Sequence, residues 1–197
     1  MDLSRHVGIL RRAFGVGVFP HEMSWILDLP GRGWIMPPST VAERLPVGPD
    51  AHVLEVGPGS GHYSVAAARK VPQGTLTLLD LQPEMLAKCA RRLEAAGIDN
   101  ARLQVAAGTA LPFDDACLDA VFLVTVFGEI ADQAAFLEEA HRVLKDDGVI
   151  AITEHHPDPD FESAEAVADK LRAHGFVPSA PLGWRWAYTL HGRKAAA

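Results

Sequence analysis

The run Val53-Leu54-Glu55-Val56-Gly57-Pro58-Gly59-Ser60-Gly61 holds the residue types and spacing that most directly permit chemistry. Glycines at alternate positions let a backbone approach a ligand with no Cβ in the way, and a helix that follows offers its unpaired N–H groups. The third glycine arrives one residue earlier than in the G-x-G-x-x-G dinucleotide fingerprint. Glu55 stands two positions before the first glycine. Both features favour a cationic, phosphate-free ligand over a dinucleotide. Asp80, 19 residues past Gly61, is placed to accept hydrogen bonds from a ribose diol. Each feature also has a plain structural reading, a simple strand-to-helix turn for the glycines and a helix-capping acid for Asp80. A second concentration of ionisable groups is Glu154-His155-His156-Pro157-Asp158-Pro159-Asp160. Three readings of it stay open: a general base at His155 or His156, a metal bound through His and Asp, or a solvated loop stiffened by its prolines.

These groups need a scaffold, and from residue 51 onward short apolar runs alternate with helical stretches, the signature of βαβ units on a parallel sheet. Strands are expected at 52–56, 76–79, 103–106, 118–124 and 149–153, with helices at 63–70, 83–96, 134–145 and 162–174. The run 118–124 is almost continuously apolar, as a strand buried on both faces should be. Two final strands, 176–178 and 186–190, flank a loop with Pro181 and Gly183 and are expected to be antiparallel or mixed. The fold class is therefore α/β, a Rossmann-like, seven-stranded, mostly parallel sheet with helices on both faces. Residues 1–45 are expected to form an N-terminal helical cover and 46–197 the ligand-binding domain. Phe19, His21, Trp25 and Trp34 in the cover are suited to closing over a pocket and excluding water, or simply to packing.

At the glycine turn and Asp80 the sequence resembles the class I S-adenosylmethionine-dependent methyltransferases, over roughly residues 45–190. Thr109-Ala110-Leu111-Pro112-Phe113 followed by Asp119, and Arg142-Val143-Leu144-Lys145 with Gly148, are similar to segments of the methyltransferases of quinone biosynthesis. The resemblance implies S-adenosylmethionine as cofactor. Glu55, Gly57, Pro58, Gly59 and Gly61 would lie under its methionine part, and Asp80 with Leu81 beside its ribose. Gly108-Thr109 stands where the family usually places an Asp on the adenine amino group, so adenine falls to the backbone or to Thr109, with Ala110 adjacent. Thr125, just past the fourth strand, completes the implied cofactor set, and His155 and His156 are the candidate catalytic residues.

Composition narrows the partners. Charged residues make up 22% and hydrophobic ones 48%, enough apolar side chain for a full core. A net charge of −7 argues against a broad phosphate-binding surface and hence against nucleic acid. Cys89 and Cys117, far apart, suggest neither a disulfide framework nor a zinc site and fit a cytoplasmic location. No apolar run is long enough for a membrane span. Leu3, Val7, Leu10 and Phe14 share a helical face beside Arg5, Arg11 and Arg12, a pattern that Asp2 weakens as a targeting signal. The expected function is methyl transfer to a small-molecule acceptor. The alternatives are a non-catalytic module that binds the cofactor or its demethylated product and, opposed by the glycine spacing, an NAD-dependent oxidoreductase.

Overall fold

A computed structural model describes residues 36–195. Its eight strands are β1 (His52–Val56), β2 (Thr75–Asp80), β3 (Ala101–Val105), β4 (Leu118–Val124), β5 (Leu144–His155), β6 (Phe176–Pro178), β7 (Leu182–Trp184) and β8 (Ala187–Lys194). The helices are α1 (Pro38–Arg44), α2 (Ser64–Lys70), α3 (Pro83–Ala95), α4 (Gln133–Val143) and α5 (Ala164–Ala173), with a 3₁₀ turn at Phe127–Glu129.

The strands form one sheet in the order β3-β2-β1-β4-β5-β8-β6, with β7 paired to β8. The first five are parallel, and β8 runs antiparallel between β5 and β6. The chain leaves β1 toward β2 and β3, then returns to lay β4 against the other side of β1. That reversal opens a crevice beyond the carboxyl ends of β1 and β4, where open α/β sheets bind ligands.

Successive side chains of the central strands enter opposite cores. Leu54, Val121, Leu123, Ile150 and Ile152 pack with Phe136 and Leu137 of α4 and Leu171 of α5. Val53, Phe122, Val124 and Ala151 pack with Ala67 of α2, Cys89 and Leu93 of α3, and Met36, Val41 and Leu45 around α1. Burial on both faces explains why these strands are nearly free of polar residues. Of the expected N-terminal cover only residues 36–45 are described, and there α1 is seated against this second core. Phe19, His21, Trp25, Trp34 and the amphipathic stretch around Leu3 to Phe14 lie outside the described residues.

Three differences from the sequence expectation alter the sheet. Helix α4 ends at Val143 because Leu144 is already extended (φ −70°, ψ 140°), and β5 starts there, pairing with Leu118 across a register shift. At its other end β5 runs on to His155, two residues past the expected Thr153, because β8 pairs with it as far as Ala187. The expected loop at Pro181 and Gly183 contains a further short strand, β7, which raises the strand count from seven to eight.

The segment after β3 is clamped by one side chain. Arg142 donates to the Leu111 and Phe113 carbonyls at 3.0 and 2.9 Å and to Asp115 and Glu139 at 2.7 Å. Glu139 in turn accepts the Leu111 N–H at 2.8 Å.

Candidate functional site

The glycine turn leaves β1 in a conformation that ordinary residues avoid. Gly57, Gly59 and Gly61 have φ of +65°, +57° and +79°. A Cβ built on Gly57 would lie 2.7 Å from both methyl carbons of Val126, in the segment after β4. One built on Gly61 would lie 3.2 Å from the Cα of Cys89 on α3. Gly57 N–H bonds Leu79 O, and Gly61 N–H bonds Pro58 O, each at 2.9 Å. The turn is therefore fixed in place, with Pro58 buried, at the head of α2.

Two carboxylates stand by this turn. Glu55 is buried on the α2 and α3 side, and its Oε2 has no hydrogen-bond partner. Burial pushes its pKa up to about 7, with the nearby Asp80 charge adding to the rise and the Ser64 hydroxyl opposing it. Asp80, at the end of β2, accepts the Gln82 N–H at 2.9 Å and is also bonded by the Gly59 and Leu81 amides. Desolvation outweighs these bonds and raises its pKa as well. Two buried acids with a raised ionisation cost, one of them holding an unpartnered oxygen, form an environment that a cation would relieve. The Cys89 thiol donates to Gly59 O at 3.3 Å and, buried beside both acids, has its pKa raised, so it stays a thiol.

Across the crevice, Thr125 closes β4 at φ +53°, a strained conformation for a non-glycine residue. Its N–H bonds Thr153 O and its hydroxyl bonds Val124 O, each at 2.8 Å. The next strand end carries His155, which is buried. Its Nδ1 lies 3.2 Å from the His156 carbonyl, which can only accept, so the proton sits on Nδ1. Nε2 is then left to face the Tyr63 hydroxyl at 3.4 Å, long for such a bond but open to tightening around a ligand. His156 is half-buried and stacks at 4.2 Å on Phe161, with Trp186 edge-on at 4.9 Å. Glu154, on the opposite face of β5, is buried with Oε1 unpartnered and accepts the Phe127 N–H. Burial, then the charges of Asp158, Glu162 and Glu129, push its pKa up to about 9.

The structure thus gathers Glu55, Gly57, Pro58, Gly59, Gly61, Asp80 and Thr125 around the switch-point crevice. Leu81 is exposed beyond Asp80, and Thr109 and Ala110 lie exposed in the turn after β3. That turn is tied to the site by the Ala106 N–H bond to Asp80 O, at 3.2 Å. The solvated-loop reading of 154–160 fails at Glu154 and His155, which the extension of β5 buries, while Pro157 and Pro159 are exposed. Among the described residues no group of three or more His, Cys, Asp or Glu is arranged to hold a metal ion. Sequence reasoning missed Tyr63 and Val126. Tyr63 directly follows His62 after the third glycine, and its position there was a usable signal. Val126 was invisible because its contact with Gly57 is made between strands.

Known proteins share this architecture. A family profile described as a methyltransferase domain matches residues 53–148. The chain is 33% identical over 107 residues to a demethylmenaquinone methyltransferase of Thermus thermophilus, covering 54% of this chain and 48% of that protein. It is 31% identical over 165 residues to a malonyl-[acyl-carrier protein] O-methyltransferase of Herminiimonas arsenicoxydans, covering 74% and 60%. The chain therefore spans about half the length of the first of these curated relatives. Among solved structures, a SAM-dependent methyltransferase of Aquifex aeolicus superposes with a TM-score of 0.82 at 23% identity, covering 89% of this chain and 98% of that one.

Proposed function

Because the chain belongs to the class I S-adenosylmethionine-dependent methyltransferases, we propose that it transfers the cofactor's methyl group to a small-molecule acceptor held at the ends of β4 and β5. The observation that carries this reading is the glycine cradle. Its three glycines have positive φ, side chains at two of them, Gly57 and Gly61, would collide with Val126 and Cys89, and it lies beside a buried carboxylate with an unsatisfied oxygen. A positively charged ligand suits Glu55, whereas a pyrophosphate would add negative charge to a pair of acids that already resist ionising.

When bound, the cofactor supplies an activated methyl group and its own leaving group. The chain's part is then to bind and orient. Glu55 meets the cationic end, Asp80 offers carboxylate oxygens to the ribose hydroxyls, and Thr109 or the turn around it meets the adenine. Holding acceptor and methyl donor in line recovers about 7–11 kcal/mol of barrier, so positioning is the main contribution asked of the protein. For an acceptor that must lose a proton, Nε2 of His155 is the candidate base, acting directly or through the Tyr63 hydroxyl. His156, lying over Phe161 with Trp186 edge-on to it, shapes the mouth of the site.

Calorimetric titration with S-adenosylhomocysteine and NAD⁺ tests the reading. The demethylated cofactor should bind, NAD⁺ should not, and Asp80→Asn should weaken the binding about tenfold, about 1.4 kcal/mol, by removing a charged acceptor. Asn keeps one oxygen for the Gly59, Leu81 and Gln82 amides, so the turn itself should survive. Binding of NAD⁺ without S-adenosylhomocysteine refutes the assignment. Tight cofactor binding with no transfer of labelled methyl across a broad acceptor panel favours the non-catalytic module.

A further inference from the structure

Arg44, the last residue of α1, is a half-buried cation with no acid paired to it. Burial lowers its pKa and no neighbouring charge opposes the shift, although a guanidinium stays ionised regardless. Among the described residues Arg44 makes no ion pair, whereas Arg142, Lys145, Lys170, Arg172 and Lys194 each meet a carboxylate. Its Nη1 donates to Thr189 Oγ1 at 3.2 Å and to Met36 Sδ at 3.6 Å, both neutral, and Nε and Nη2 make no hydrogen bond among those residues. In a chain with 25 acids, a cation left with neutral partners in a half-buried place carries a desolvation cost that nothing offsets. The methyl transfer described above makes no use of it.

Position ties this guanidinium to the acceptor side of the sheet. Thr189 pairs with Thr153 across β8 and β5, and their hydroxyls lie 2.8 Å apart. Thr153 and His155 stand two residues apart on β5, so they share the face on which His155 meets Tyr63. The Arg44 fork is thus offset from the candidate base by two strand residues, about 7 Å along the sheet. Its Nη2 lies 3.3 Å from where a Cβ on Gly183 would be, so a side chain at that position of β7 would press on a fork that the glycine leaves clear. Holding α1 in place does not require the guanidinium, because the Arg44 carbonyl already accepts the His191 Nε2–H at 2.7 Å and fastens the helix to β8.

We infer that Arg44 binds a fixed oxyanion of the methyl acceptor, a group distinct from the atom that is methylated. The inference rests on the methyl-transfer reading, because nearness to the ends of β4 and β5 is what makes Arg44 face an acceptor. Nε and Nη2 form one edge of the planar fork, and that edge presents two parallel N–H groups to the two oxygens of a carboxylate or related anion. An anion there relieves the unpaired charge, while a neutral isostere leaves its donors without strong acceptors, so the site discriminates between the two. The two groups are separate because one anion cannot stand both at Arg44 and at the strand end beside His155. An acceptor whose only anionic group is the one methylated does not fit.

The test is nitrogen-15 NMR of the arginine Nε–H groups in the full chain saturated with S-adenosylhomocysteine, with trans-4-hydroxycyclohexanecarboxylate and its carboxamide as probes. Arg44→Lys identifies the Arg44 signal. The carboxylate should shift that signal and bind at least about tenfold more tightly than the carboxamide. Arg44→Gln should bring the two affinities within about twofold, Arg44→Lys should keep part of the preference by retaining the charge without the fork, and neither should change the affinity for S-adenosylhomocysteine. Equal affinity for the two probes, an unmoved Arg44 signal, or a preference that survives Arg44→Gln overturns the inference and leaves the methyl-transfer reading standing. A lower melting temperature in Arg44→Gln with the preference intact assigns the side chain to holding α1 and overturns it too. Acetate that shifts the Arg44 signal at the same concentration as the hydroxy acid shows an adventitious ion only and overturns the acceptor assignment. Failure of the wild-type chain to bind S-adenosylhomocysteine removes the methyl-transfer reading and the inference with it.

Discussion

Cofactor binding should release a proton from Glu55. Its carboxyl is buried, has an unpartnered oxygen and is pushed up to about 7, so in the unliganded protein it is half protonated at pH 7. A positive charge about 4 Å away in an effective dielectric of about 20 favours the carboxylate by about 4 kcal/mol, or about three pH units. That is enough to return the group to the ordinary carboxylate range and keep it ionised throughout the neutral region. The bound state then holds almost no proton on Glu55, while the free state holds about 0.9 at pH 6, 0.5 at pH 7 and 0.1 at pH 8. Affinity should accordingly fall about tenfold per unit below pH 7 and level off above it. Titration with S-adenosylhomocysteine in phosphate and in Tris, whose ionisation heats differ, reads the released proton directly. Glu55→Gln keeps the shape and removes the titration, so its profile should be flat between pH 6 and 8. Equal heats in the two buffers at pH 6, or a Glu55→Gln variant with the wild-type pH dependence, would refute the reasoning.

Gly57→Ala places a Cβ 2.7 Å from the Val126 methyl carbons at a φ of +65°. The backbone alone costs about 1–2 kcal/mol, so a lower melting temperature in calorimetry and lost S-adenosylhomocysteine binding are expected, with part of the stability regained when Val126→Ala is added. Glu154→Gln tests the second buried acid. With its folded pKa at about 9, against an ordinary 4.5, the folded chain keeps a proton that the unfolded chain gives up. Its stabilisation is therefore present at low pH and is lost as pH rises from about 4.5 to about 9, at up to about 1.4 kcal/mol per unit. Wild-type stability should drop by up to about 4 kcal/mol between pH 5 and 8 from this group, and Glu154→Gln should be more stable than wild type at pH 8 but not at pH 5. Denaturant melts at the two pH values check this, and a wild-type advantage at pH 8 would contradict it.

What the sequence made legible was whatever is encoded locally. Gly57, Gly59 and Gly61 announce the turn because their backbone conformation excludes other residues, and the apolar run of β4 announces a strand buried on both faces. The partners of Asp80 were not legible. The Gly59 amide reaches it from another strand-to-helix turn, so the carboxylate organises the cradle as well as facing a ligand. The burial of Glu154 and His155 was hidden for a related reason. A stretch dense in His, Asp and Pro reads as solvated, yet pairing with β8 extends β5 beneath its first two residues. Strand β7 was masked by Pro181 and Gly183, which are loop-forming residues in isolation; Gly183 is required where it stands by the close approach of Ala187.

The Arg142 clamp couples two segments that the chain keeps far apart. The Leu-Pro-Phe segment and the Arg-Val-Leu-Lys segment, the most recognisable words of the sequence after the glycine turn, are bound to each other through one guanidinium and Glu139. Loss of that one guanidinium would therefore free the turn after β3 and the entry to β5 together, although about thirty residues of chain separate them.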